Sequence, residues 1–341
     1  MDKNAVINAA SLRDLNTFGI DVNCNCLCII QSVDEAIELL NDPEFKDLEK
    51  LVLGGGSNIL FTKDYDGLVI LNRIHGISLL REDDLYIWVK AGGGVPWHEL
   101  VMFTVERGWG GLENLSLIPG TVGAAPIQNI GAYGVEMKDT FVELEAVSLE
   151  DGTLRKFNHE NCKFGYRDSY FKREGKGKFL IANVTFRLSK KPVVNTSYGA
   201  ITQELQKKNI FTPSPKDVSD AVISIRSSKL PDPSKIGNAG SFFKNPEVSS
   251  EIFMELKKNH PEIVAYPSSN GMMKLAAGWL IEKCGWKGLR QGNVGMHRDQ
   301  ALVLVNHGNA SGKELILHAL RVQESVKNNF GVNLELEVNI L

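Results

Sequence analysis

Three side chains in this 341-residue chain stand where their type and surroundings could do chemistry. Arg167 lies at the centre of the aromatic-rich turn Asn161 to Lys172, flanked by Tyr166 and Asp168. A guanidinium among aromatics suits bidentate capture of a carboxylate, and an ion pair with Asp168 is the competing reading. Ser241 follows Gly240 in the low-volume segment Gly237 to Pro246, where Lys244 is the other group able to carry a proton. Such a serine is either a proton donor or a turn former. Glu337 belongs to Leu334-Glu335-Leu336-Glu337-Val338, whose alternation sets the apolar residues on one face of a strand and both carboxylates on the other. The period does not say whether that second face is a cleft or solvent.

Two glycine-rich stretches accompany these residues. The longer, Ile118 to Glu136, contains Gly, Ala, Pro and Asn and has neither helical nor strand period. It carries no Lys, Arg or Asp, so it is poorly suited to a solvated loop and well suited to close approach of backbone to a ligand. The shorter, Gly54-Gly55-Gly56-Ser57-Asn58, follows the apolar strand Leu51 to Leu53. Its glycine spacing fails the dinucleotide fingerprint at Ile59, and no Gly-Lys-Ser/Thr follows it. Glycine loops without an adjacent lysine point to a large phosphorylated ligand held by backbone N–H groups. No metal-ligand constellation or nucleophile elbow is present. Cys24, Cys26 and Cys28 share one face of a strand but lack a nearby fourth ligand, so small buried hydrophobes are expected there rather than zinc.

The elements that must position these groups follow from periodicity and caps. Strands are expected at Val22–Ile30, Leu51–Leu53, Gly67–Leu71, Ile77–Leu80, Leu85–Lys90, Phe141–Leu149, Thr153–Phe157, Phe179–Leu188, Ala301–Asn306 and Leu334–Ile340. Helices are expected at Val33–Leu40 after a Ser32/Glu35 capping box, at Trp97–Arg107 after Pro96, and from Ser214 towards Lys229. Further helices are expected at 249–258, 274–284 and 312–329, the last behind a Ser311/Glu314 box. Tyr198 is read as part of a loop, and Leu230-Pro231-Asp232-Pro233 as a break between domains. The content is α+β. Hydrophobic residues at 43%, charged residues at 23% and a net charge of −3 describe an ordinary globular protein and argue against nucleic-acid or anionic-membrane partners. The opening residues show neither a basic n-region nor an apolar h-region, no apolar run is long enough to span a bilayer, and cytoplasmic location is expected.

Pro119-Gly120-Thr121-Val122-Gly123, Pro126 to Gly134, Tyr166-Arg167-Asp168-Ser169 and Gly237 to Pro246 together resemble the UDP-N-acetylenolpyruvoylglucosamine reductases, the MurB family, over nearly the whole chain. The Tyr198 segment resembles the type I branch of that family. The resemblance implies the FAD-binding fold of the vanillyl-alcohol-oxidase type in two subdomains (1–75 and 76–230), followed by an α+β substrate-binding domain (231–341). It also implies non-covalent FAD, NADPH as reducing co-substrate, UDP-N-acetylglucosamine enolpyruvate as substrate, no metal, and a monomer. Arg167 and Glu337 would stabilise the enolate-like intermediate and Ser241 would protonate C2. FAD would contact Gly54, Gly55, Gly56, Ser57 and Asn58, and also Ile118, Pro119, Gly120, Thr121, Gly123, Ala124, Gln128, Ile130 and Gly131. The substrate would contact Tyr133, Tyr198, Lys229, Asn245 and Gln300, with Lys229 a candidate for steadying the developing serine alkoxide. Leu336 and Asn339 depart from the family's usual Pro and Arg. The rival readings are a flavin oxidoreductase of the same fold with another substrate, and a non-catalytic sugar-nucleotide-binding protein.

Overall fold

The structure, a computed structural model, describes residues 6–268 and 271–341, so the reading of Met1 to Ala5 falls outside the described residues. Two compact units form, each from separate stretches of chain. The first takes the residues up to Ala10, Cys24–Gly55 and Asp66–Ser228; the second takes Ser11–Asn23, Gly56–Tyr65 and Lys229–Leu341.

The first unit is built around two sheets. One orders its strands Val6–Ser11, Asn23–Ile30, Tyr65–Asn72 and Lys50–Leu53, the last pair parallel. Cys24 and Cys28 are buried along it and Cys26 is half-buried. Cys28 packs with Ile30, Ala36 and Leu39, and burial pushes its thiol up to about 11, as befits a small core hydrophobe. The helix Val33–Asn41 starts where Ser32 accepts the N–H of Glu35, while the Glu35 carboxylate takes that of Gln31.

The other sheet is antiparallel, in the order Leu154–Asn158, Phe141–Ser148, Phe179–Ser189, Tyr86–Gly92 and Ile77–Glu82. Its buried face carries Val89, Ala91, Leu144, Val184 and Phe186, and the helix Trp97–Val105 covers them with Trp97, Leu100 and Val101. Trp97 meets Phe186 edge-on at 5.8 Å and gives its indole N–H to the Leu115 carbonyl. A smaller core joins two further helices through Ile201, Leu205, Val218, Val222 and Ile225.

The second unit centres on Gly237–Ser241, Val303–Asn306, Val294–Met296 and Arg290–Gln291, with the helix Gly312–Phe330 burying Leu315, Ala319, Val322 and Val326. The Ser311/Glu314 capping box closes reciprocally, as its sequence predicts. No helix among the described residues is long and apolar enough to cross a membrane.

Several boundaries differ from the sequence reading. Tyr198 does lie in the loop, as its last residue, at the N-cap position of a helix, Gly199–Lys207, that the sequence reading did not expect. Gly237–Ser241 is a strand despite its low β-propensity, because Val303–Asn306 supplies the partner. The expected helix at 274–284 begins only at Ala277, since Met273–Leu275 pairs into a three-stranded sheet. Leu334–Ile340 is not one strand: it makes a single bridge at Leu336 and a two-residue parallel pairing, Asn339–Ile340 with Ile59–Leu60.

Candidate active site

In the first unit Gly55 and the Ile118–Glu136 stretch meet backbone to backbone. A Cβ on Gly55 would stand 3.1 Å from the Gly120 Cα, and one on Gly123 would stand 2.8 Å from the Ile181 carbonyl oxygen and 3.0 Å from the Gly93 Cα. Side chains are excluded at those two positions, so Gly55 and Gly123 present only peptide groups. Among the described residues of this unit no protein acceptor takes the N–H of Gly55, Gly120 or Thr121. A row of such donors fits a pyrophosphate-bearing cofactor such as FAD. Pro119 is exposed, Ala124 ends a short 3-10 turn, Gln128 is half-buried and Ile130 is buried.

The loop beyond is pinned to the aromatic turn at three points. Asn129, fully buried, donates to the Gly165 carbonyl at 2.9 Å; Ser169 donates to the Ile127 carbonyl at 2.6 Å; and the Arg167 guanidinium donates to the Gly131 carbonyl. Leu117, Asn129, Tyr133 and Arg167 all adopt positive φ, between 43° and 58°. Four non-glycine residues in that region are a concentration of strain, each costing about 1 kcal/mol or more. Asp168 is engaged by Arg173. Tyr133 meets Tyr198 edge-on at 5.2 Å.

The sequence reading missed Arg226. It projects from the helix Pro215–Lys229, donates to the Leu117 carbonyl at 3.3 Å, and lies against the Tyr133 phenol with Arg167 nearby. Burial weakens its hold on the proton, and the Tyr133 oxygen opposes that effect. Burial likewise raises the Tyr133 phenol, and the Arg226 charge pulls it back. The available signal was helical period: Arg226 follows Val222 by one turn on a buried stripe, where a cation needs a reason. Lys229 is exposed and ends the same helix.

In the second unit Ser241 closes its strand beside Val303, after Gly240 at φ +70°. Asn238, buried at 3% exposure, accepts the Gly240 N–H and donates to the Ile236 carbonyl, fixing the turn before Ser241. Antiparallel to this segment runs 335–337: Glu337 gives its N–H to the Phe242 carbonyl at 2.9 Å, and Lys244 gives its own to the Glu335 carbonyl at 2.9 Å. Ser241 and Glu337 are thus brought onto neighbouring segments. Phe243 and Leu336 face each other as a non-hydrogen-bonded pair, so the Leu336 N–H is not used in the ladder. A proline suits that position equally, which explains how Leu336 stands there without altering the register.

Asn339 donates twice, from backbone and side chain, to the Asn58 carbonyl at 3.1 Å, and the Asn58 amide donates to the Glu337 carbonyl at 3.3 Å. Asn339 therefore ties the end of the glycine loop to the glutamate segment. Glu335 pairs with Lys244 at the surface, leaving Glu337 as the half-buried carboxylate of the two. The Asn245 side chain accepts the Ala277 N–H at 3.0 Å at the start of a helix, and Gln300 sits in the turn that leads to Val303. No group of metal ligands occurs among the described residues.

Residues 25–158 match the model of an FAD binding domain, which with the loops above defines a flavin-dependent oxidoreductase. Residues 232–341 match the C-terminal domain model of UDP-N-acetylenolpyruvoylglucosamine reductase. UDP-N-acetylenolpyruvoylglucosamine reductase of Burkholderia mallei (strain NCTC 10229) is 51% identical over 329 residues, covering 96% of this chain and 95% of the relative. That of Burkholderia ambifaria is 51% identical over 324 residues, covering 94% and 93%. The solved structure of UDP-N-acetylenolpyruvylglucosamine reductase (MurB) from Thermus caldophilus aligns with a TM-score of 0.67 at 25% identity, covering 98% of this chain and 97% of that one. The chain belongs to the UDP-N-acetylenolpyruvoylglucosamine reductase family.

Proposed function

We propose that this protein reduces UDP-N-acetylglucosamine enolpyruvate to UDP-N-acetylmuramate with NADPH, in the cytoplasmic synthesis of peptidoglycan precursors, and that Arg167, Ser241 and Glu337 act on the reacting atoms. The chemistry available from bound FAD is hydride transfer, with NADPH as the source and C3 of the enolpyruvyl group as the destination. Gly54–Asn58 and the Ile118–Gly131 segment would hold the cofactor through peptide donors. Addition at C3 leaves negative charge on C2 and the adjoining carboxylate. Arg167 suits that charge because its fork binds a carboxylate with two parallel bonds and stays protonated. Ser241 gives its proton to C2, and Glu337 helps hold the enolate-like form. Tyr133, Tyr198, Lys229, Asn245 and Gln300 are proposed to hold the sugar nucleotide.

The observation that best supports giving one reaction to Ser241 and Glu337 is the register across Phe243 and Leu336, which sets their segments side by side. The test separates the half-reactions under anaerobic conditions. Ser241→Ala is expected to leave flavin bleaching by NADPH within a few-fold of normal. Its reoxidation by the enolpyruvyl substrate should slow by about 10²–10⁴-fold, the usual worth of a general acid. Equal loss in both half-reactions would make Ser241 structural, and a folded protein with no affinity for FAD would remove the reading altogether.

A further inference from the structure

Asn114 sits in the one-turn 3-10 helix Glu113–Leu115 and is 1% exposed. Its side-chain amide spends both hydrogens on backbone carbonyls: Tyr133 at 3.1 Å and Asn195 at 2.9 Å. Those carbonyls belong to the two segments whose tyrosine rings, Tyr133 and Tyr198, meet edge-on at 5.2 Å with an interplanar angle of 87°. Asn195 reinforces the join, donating from its own amide to the Gly134 carbonyl at 3.4 Å and accepting from the Ser197 N–H and hydroxyl. Meanwhile the Asn114 Oδ1 is buried and finds no partner among the described residues.

A buried amide oxygen without a donor is costly, and a leucine, which has the same branching, would not bury one. What leucine cannot supply is the pair of donors. Tyr133 and Gly134 are consecutive left-handed residues, at φ +51° and +79°, a backbone that needs outside support. Tyr133 packs, together with Val194, Ala200 and Ile210, against the core of the helix pair whose first member Tyr198 caps, so the two tyrosine segments share one footing.

We infer that Asn114 is a positioning residue that clasps the backbones of Tyr133 and Asn195 together, presetting the Tyr133 and Tyr198 pair that receives the sugar nucleotide. The inference rests on the function proposed above for Tyr133 and Tyr198. Without the clasp, fewer molecules hold Tyr198 beside Tyr133, and apparent affinity falls by the fraction lost. Groups that meet FAD and NADPH are untouched.

Asn114→Leu is therefore expected to raise KM for UDP-N-acetylglucosamine enolpyruvate about 10-fold while kcat, FAD content and flavin reduction by NADPH stay within about 2–3-fold. In a Tyr198→Ala background the same substitution should add less than about 2-fold, because both changes remove one device. Full additivity, or equal loss in both half-reactions, overturns the inference. A second readout needs no turnover: in the ligand-free holoenzyme, Asn114→Leu should accelerate chymotryptic cleavage after the exposed Tyr198, and Asn114→Ala serves if the leucine variant fails to retain FAD. An unchanged cleavage rate also overturns it. If Tyr198→Ala alone leaves KM unaltered while cleavage does accelerate, the clasp stands and the proposed role of Tyr198 falls.

Discussion

A guanidinium carried on a left-handed residue is held by its surroundings rather than by its own backbone preference. Arg167, at φ +51°, is fixed by the Gly131 carbonyl and by neighbours whose loops Asn129 and Ser169 lock together. The fork is thus preset for the carboxylate that Arg167 is proposed to bind. Arg167→Lys retains the charge but not the two parallel bonds, and substrate reduction should fall by about 10²-fold while flavin reduction by NADPH changes little, as measured by stopped-flow absorbance of each half-reaction. Undiminished turnover would take Arg167 out of the chemistry. At this scale the sequence spoke through motifs: Arg167, Ser241 and Glu337 stand out because their neighbours are distinctive. Arg226 and Asn114 carry no such motif: Arg226 is marked only by its place on a buried helical stripe, and Asn114 by nothing, because their contacts with Leu117, Tyr133 and Asn195 join distant parts of the chain.

Elements whose ends carry caps were legible, and those defined only by a partner were not. Ser32 and Ser311 announce their helices because the cap is local chemistry. Gly237–Ser241 and Asn339–Ile340 have no such signal; their strand character comes from Val303–Asn306 and Ile59–Leu60. The glycine loops illustrate a third case, visible as composition but not as geometry, because the sequence does not say that Gly123 rests against Gly93. Gly123→Ala would force a methyl to 2.8 Å from the Ile181 carbonyl oxygen. Overpacking of that kind costs about 1–3 kcal/mol, so the Kd for FAD should rise by roughly 10- to 100-fold in a fluorescence titration of the apoprotein. Unchanged affinity would mean that the loops yield without disturbing the cofactor's donors.

Across the molecule, each unit gathers distant stretches of chain, and stability need not be shared evenly between them. His318 marks a weak point in the second. It is 1% exposed, neither ring nitrogen has a hydrogen-bond partner among the described residues, and burial lowers its pKa to about 4, with Arg321 adding to the effect. Above about pH 6.5 the imidazole is neutral whether folded or not. Between pH 6.5 and 4 the unfolded chain takes up a proton that the folded one refuses, so stability drops as pH falls. From pH 7.5 to 5 the loss from this group should be about 2 kcal/mol. His318→Phe, which keeps a ring against Trp286, should lose correspondingly less in urea unfolding at the two pH values. Parallel losses in both proteins would acquit the histidine. The Asn339 tie to Asn58 has a further consequence, in time. Ribosomes add ~5–20 residues per second, and Asn339 emerges about 280 residues after Ile59. The glycine loop must therefore wait on the order of 15–60 seconds for the segment that ties it to arrive.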